Sequence, residues 1–163
     1  MRDKSFVTQI CQADSKDRDA VLAILERTKF FRPEELKIAQ EVFDDSISGR
    51  PEVDYQSFVA RDANKTIGWV CFGPTPCTVG TFDIYWLAVD PENQKQGIGT
   101  ALMKYAHEII KKLNGRLITL DTSGNLRYIS TRRFYESLDY CKEASLKDFY
   151  TLGDDKIIYI KRI

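Results

Sequence analysis

Apolar residues recur along this chain with two periods, and their alternation lays out a series of strands and helices. Residues 5–11 alternate apolar and polar side chains, the period of a half-buried strand. Asp14, with Asp17 three positions on, reads as a helix N-cap, and Ala20, Val21, Ile24 and Leu25 follow at helical spacing. Pro33-Glu34-Glu35 predicts a second helix start, because proline suits the first turn and carboxylates suit the positive end of the helix dipole. Leu36, Ala39, Phe43 and Ile47 form its apolar face, and Arg50-Pro51 marks its expected end.

Residues 55–61 and 66–72 read as strands joined by the turn-prone Asp62-Ala63-Asn64-Lys65. A loop with Gly73, Pro74, Pro76 and Gly80 leads into residues 82–89, the most apolar strand. A helix is expected over 97–113, stopped by Lys111, Lys112 and Asn114-Gly115. A strand over 116–122, a helix over 128–138 and closing strands over 140–146 and 156–161 complete the order β-α-α-β-β-β-α-β-α-β-β. Only one or two of these segments are strand–helix–strand units, so the reading is an α/β fold with a mixed sheet rather than a doubly wound one. At 163 residues and 43% hydrophobic, the chain fits one globular domain with a sizeable core, residues 1–163.

Charge and cysteines narrow the function classes. Lys plus Arg number 24 and Asp plus Glu number 24, so the basic excess typical of a nucleic-acid binder is missing. No apolar run approaches the ~18 residues of a membrane span, and Met1-Arg2-Asp3-Lys4 leads into no signal-peptide segment, so no membrane partner is expected. Cys11, Cys71, Cys77 and Cys141 are too scattered for a zinc site or a disulfide framework, which points to a reducing cytoplasm and no metal. With one histidine, any His-dependent nucleophile hangs on His107, which mid-helix reads better as a surface residue.

Candidate chemistry concentrates in Leu87-Ala88-Val89-Asp90-Pro91-Glu92-Asn93-Gln94-Lys95-Gln96-Gly97-Ile98-Gly99-Thr100. A buried strand ends, a turn follows, and two glycines sit where a helix begins. Backbone N–H groups at a helix start lack intrahelical partners and carry the positive end of the dipole. Glycine lets a phosphate approach them, and Gln94, Lys95 and Gln96 add donors and a charge. The segment reads as a pyrophosphate cradle. A Rossmann fingerprint would need a third small residue where Leu102 stands, and a first glycine closer to the strand. A Walker loop would need Gly-Lys-Ser/Thr. The plainer alternative is that Gly97 and Gly99 only shape a tight turn.

Gln94-Lys95-Gln96-Gly97-Ile98-Gly99 has the Gln-x-x-Gly-x-Gly form of motif A of the GCN5-related N-acetyltransferase (GNAT) family, which it resembles together with the preceding residues 84–89 and Ala101-Leu102-Met103. Arg133-Phe134-Tyr135-Glu136-Ser137-Leu138-Asp139-Tyr140 is similar to motif B, usually Phe-Tyr-x-x-x-Gly-Phe. The chain departs at Tyr128, where the family often has Asn, with Asn125 three residues earlier, and at Asp139 in place of Gly. The resemblance implies a single-domain GNAT-like fold whose mixed central sheet is splayed and flanked by helices. It implies an acetyl-CoA-dependent N-acetyltransferase moving the acetyl group directly to a primary amine of a small molecule or a peptide. Homodimers are common in that family. A catalytically silent acyl-CoA-binding sensor is the alternative.

Acetyl transfer needs a neutral amine, donors for the developing oxyanion and a proton for the departing thiolate. By resemblance, backbone N–H groups of Leu87 and Val89 face the thioester, the pantetheine lies along the strand edge Leu87, Ala88, Val89, and Gln94, Lys95, Gln96, Gly97, Ile98, Gly99 and Thr100 hold the phosphates. Tyr135 matches the motif B tyrosine and is the candidate acid, with Phe134 expected in the core and Tyr135 toward the cleft. Asp83, four residues before Leu87, is the candidate base, its alternative being a strand-end cap on Gly80-Thr81. Arg127, Arg132 and Arg133 read as a solvated helix face or a contact for the CoA 3′-phosphate. Asp148 and Tyr150 fall in an expected loop before the last strand, where they either touch the acceptor or order the loop.

Overall fold

The computed structural model describes residues 8–50, 52 and 54–163. Ser5, Phe6 and Val7 of the expected first strand, and Pro51, lie outside them. The elements are β1 (Gln9–Gln12), α1 (Arg18–Thr28), α2 (Pro33–Ser46), β2 (Gln56–Asp62), β3 (Lys65–Pro74), β4 (Thr81–Val89), α3 (Ile98–Lys112), β5 (Leu117–Ser123), α4 (Ile129–Glu136), β6 (Cys141–Thr151) and β7 (Asp154–Arg162), with single 3-10 turns before α1, α3 and α4. The strand order is β1-β2-β3-β4-β5-β7-β6. The β4–β5 pair is parallel while β1–β2, β2–β3, β5–β7 and β6–β7 are antiparallel, so the sheet is mixed, as the α/β reading requires.

Two compact units make up the chain: the described residues up to Gly73 with Tyr85–Ile109, and Pro74–Ile84 with Ile110–Ile163. Strand β4 contributes residues to both. In the first unit Asp14 and Asp17 form a capping box, but it closes the 3-10 turn Ser15–Asp17 rather than α1, whose own N-cap, Asp17, makes no side-chain cap bond. Burial alone would raise the Asp17 carboxyl, but hydrogen bonds from Arg61 and Thr66 outweigh it and hold it below the usual carboxylate range. The apolar stripes of α1 and α2 bury Val21, Ile24, Leu25, Ala39 and Phe43 against Val59, Trp69, Cys71 and Ala88, with Leu36, Ile47 and Trp86 half-buried around them. Helix α2 stops at Ser46 rather than at Arg50. Ser48 N–H and Oγ both turn back to Asp45 O, and Gly49 follows with φ +68°.

In the second unit β5 pairs along its whole length with β7, which pairs in turn with the edge strand β6. Residues 148–151 belong to β6, not to the expected loop. The register slips between Leu146 and Thr151, and Asp148 has φ +53°. Two aspartates satisfy that bulge: Asp148 N donates to Asp155 Oδ1 at 3.0 Å, and Gly153 N donates to Asp148 Oδ1 at 2.6 Å.

Candidate active site

Strand β4 ends at Val89 because the next residue is tied down. Asp90 is fully buried, and its N–H donates to Ile67 O at 2.9 Å. Its carboxylate caps the turn Pro91–Asn93 through Glu92 N and accepts Arg27 Nη2 of α1 at 2.7 Å, with Lys65 Nζ at 3.6 Å. A buried carboxylate needs such partners. The Asp-Pro pair, an N-cap followed by proline, was the signal in the sequence for this anchor.

From that anchor the chain enters α3 through a backbone of special shape. Lys95 has φ +61° and Gly97 φ +82°, bracketing Gln96. Left-handed residues in such turns fold successive amides into a concave N–H cluster that suits anions. A Cβ added at Gly97 would meet no atom within 4 Å, so glycine serves the left-handed backbone here and the space in front of it is open. Gly97 O accepts the first helical bond, from Ala101 N at 2.9 Å, which puts the Ile98, Gly99 and Thr100 amides in the first turn. The two glutamine side chains brace the loop: Gln94 Nε2 donates to Val89 O at 3.2 Å and Gln96 Nε2 to Glu92 O at 3.4 Å. Lys95 is exposed. The helix start is pressed onto β3 at Gly68, where a Cβ would come within 2.9 Å of Leu102 Cδ1 and 3.2 Å of Ala88 O. On β4, Ala88 is buried toward this packing, while Leu87 and Val89 are half-buried.

In the second unit Tyr135 is the buried residue of α4 and Phe134 only half-buried, the reverse of the expected assignment. The cause is the aromatic nest beneath the helix: Tyr140 and Tyr159 pack at centroid distances of 6.0 and 6.2 Å from Tyr135. Burial, and then the Asp121 carboxylate, push the Tyr135 phenol well above its ordinary value. Asp139, where the family has glycine, adopts φ +64°, and Tyr140 N reaches back to Tyr135 O at 3.2 Å. The position does need a left-handed residue, and aspartate supplies it. Asn125 is occupied as a cap, accepting from Arg127 N, and Arg132 Nη1 donates to Ser123 O and Asn125 O rather than standing in solvent. His107 is half-buried on α3.

Asp83 lies on β4 at the last rung of the parallel ladder, opposite Thr119. Its Oδ2 accepts Thr75 Oγ1 at 2.7 Å and its Oδ1 accepts Thr119 Oγ1. It does not cap Gly80-Thr81; the partners are these two hydroxyls. A carboxylate has about four acceptor positions, so lone pairs remain for a water. Neither threonine was legible as a partner, because a parallel register is set by packing and not by spacing. Asp121 accepts Tyr150 OH at 3.0 Å and Lys156 Nζ at 2.9 Å. Cys77 is an exposed free thiol in the loop before β4, and among the described residues no group of three metal-ligating side chains occurs.

A family model for the acetyltransferase (GNAT) domain matches residues 54–142. The chain is 31% identical over 106 residues to N-alpha-acetyltransferase 30 of Schizosaccharomyces pombe, covering 64% of this chain and 69% of that protein. A crystal structure from Desulfovibrio desulfuricans, described as an acetyltransferase of the GNAT family, superposes with a TM-score of 0.92 at 39% identity, covering 96% of this chain and 99% of the other. An aminoglycoside 6'-N-acetyltransferase crystallised with coenzyme A gives a TM-score of 0.75 at 18% identity, covering 94% of this chain and 96% of the other, a likeness of fold.

Proposed function

The chain belongs to the GCN5-related N-acetyltransferases, and from that premise we propose that it binds acetyl-CoA by its pyrophosphate at residues 96–100 and passes the acetyl group directly to a primary amine. The observation that carries the reading is the left-handed Gly97 opening α3 with free space before it. It is steadied by the buried Asp90 behind the loop. A helix start with clustered amides is a fitting seat for phosphate oxygens. Lys95 adds the positive charge, and the Gln94 and Gln96 side chains act mainly by shaping the loop, each retaining a second N–H for the ligand. The acyl-pantetheine lies along Leu87, Ala88 and Val89 by strand addition, with the Leu87 and Val89 amides toward the thioester carbonyl. Residues 1–163 act as one acetyltransferase domain.

Chemistry then falls to two side chains. An alkylammonium with pKa ~10 must lose a proton before it attacks, and Asp83 takes it through a water at a lone pair its threonines leave free. Tyr135 serves the departing sulfur. Its phenol stays protonated at every physiological pH and sits above a thiol's ~8.5, so the thiolate leaves hydrogen-bonded to the phenol rather than stripping its proton.

The acceptor is an amine of a small molecule or of a protein; the relatives named above are, by their names, an N-alpha-acetyltransferase and an aminoglycoside 6'-N-acetyltransferase. The four free cysteines suit a cytoplasmic setting, and no helix among the described residues is long and apolar enough to cross a membrane. Turnover of acetyl-CoA with a panel of peptide N-termini, polyamines and aminoglycosides, followed by CoA release, tests the reading. CoA binding without release on any amine would instead support an acyl-CoA sensor.

A further inference from the structure

Strands β4 and β5 are parallel neighbours that stop pairing while both still run on. The ladder covers Thr81↔Leu117, Phe82↔Ile118 and Asp83↔Thr119, yet β4 continues to Val89 and β5 to Ser123. The rung at which it stops is also the rung bridged by side chains. Thr119 Oγ1 on β5 donates to Asp83 Oδ1 on β4, and Thr75 Oγ1 donates to Oδ2 at 2.7 Å. Thr75 is itself fastened to the strand, its N–H donating to Thr81 O at 2.8 Å. Two hydroxyls on one half-buried carboxylate make charge-assisted bonds, stronger than the neutral bonds of the ladder beside them.

We propose that Thr75, Asp83 and Thr119 form a latch that fixes where β4 leaves β5, and that Thr119 and Thr75 are thereby positioning residues for acyl-CoA binding. The inference rests on the reading that the acyl-pantetheine adds to β4 at Leu87, Ala88 and Val89. Strand addition needs an edge whose N–H and C=O groups already stand in register for the ligand. Ordering such an edge at the moment of binding costs affinity. A ladder free to zip or fray by a rung offers the ligand a mixture of edges, only a fraction of them competent, and apparent affinity falls by that fraction. The latch holds one arrangement.

Thr119→Val keeps the shape and the β-branched preference of the site while removing the donor. The expected result is an affinity for CoA about tenfold weaker by calorimetry, the scale of one lost charge-assisted hydrogen bond. Amide exchange at Asp83, Ile84 and Tyr85 should quicken in the free protein. Thr119→Ser should restore both. If Thr119→Val does not fold, Thr75→Val removes the other arm and carries the same expectation with the same readouts. An unchanged CoA affinity in a folded Val variant overturns the inference. So does a result in which affinity stands and only the acidic limb of the rate profile moves, since Thr119 would then serve the base and not the strands. Failure of the wild-type protein to bind CoA at all would instead overturn the proposed function, and the two failures are distinguishable.

Discussion

In the proposed mechanism Tyr135 and Asp83 make opposite demands on protonation, and a single pH–rate experiment separates them. Asp83 must be ionised to accept a proton, so kcat/KM should fall toward acid in the wild type, and Asp83→Asn should lower the neutral-pH rate and lose that acidic limb. Tyr135 must keep its proton. Burial among Tyr140 and Tyr159, followed by the Asp121 carboxylate, raises its phenol, so no loss of rate from this group is expected anywhere near neutral pH. Tyr135→Phe should therefore lower kcat by roughly 10²-fold across the profile, the cost of losing one hydrogen-bond donor to developing charge, with the KM for acetyl-CoA little changed. Wild-type turnover in Tyr135→Phe would return the residue to a packing role. A wild-type profile in Asp83→Asn would leave the deprotonation to Tyr85, to Asp121 or to bulk water.

Among the elements, the proposed cradle depends on how the start of α3 packs on β3. The start of α3 sits on Gly68 so closely that a methyl group there would press on Leu102 Cδ1 and on the Ala88 carbonyl. Gly68→Ala should cost about 1–3 kcal/mol in denaturant unfolding by overpacking, and should weaken CoA binding as the helix start shifts. A variant of wild-type stability would show that the helix has room to spare. Gly68 also marks what the sequence does not disclose. Among the described residues periodicity located the strands and helices in order, Asp14 marked the 3-10 turn that leads into α1, and Pro33 marked the first residue of α2. It could not show that β6 runs on through Asp148 and Phe149, because Asp and a left-handed φ look like a loop until Asp155 is found opposite to satisfy them. The motif position Gly97 was legible because a left-handed backbone at the entry to α3 dictates it. Thr75, Thr119 and Arg27 were not, since each acts only through a partner brought near by the fold. The exchange of Phe134 for Tyr135 has the same origin: a helix face is chosen by what lies beneath it.

For the molecule as a whole, the buried tyrosines give stability a pH dependence of fixed sign. Burial raises Tyr135, Tyr140 and Tyr159, the last to about 12, helped by its hydrogen bond to Glu136 at 2.9 Å. An unfolded tyrosine ionises near ~10, so above that pH the unfolded chain binds fewer protons than the native one. The contribution of these groups is complete below about pH 10 and is lost as pH rises beyond it. Burial raises the Cys71 thiol as well, so urea midpoints should begin to fall near the ~8.5 of an unfolded thiol and fall further above about pH 10, the second fall being smaller in Tyr159→Phe. Equal losses in the two proteins would mean that the phenol is not part of the effect.

If the turn into α3 holds acetyl-CoA for transfer to an amine, CoA release from acetyl-CoA will differ between wild-type and Gly99→Val protein assayed side by side. Gly99 lies in the first turn of α3, half-buried, and in the proposed cradle a valine there would crowd the seat of the phosphates. Wild-type protein should release CoA in the presence of at least one class of amine, and folded Gly99→Val should need at least tenfold more acetyl-CoA to do so. Equal acetyl-CoA requirements in the two proteins would contradict the account.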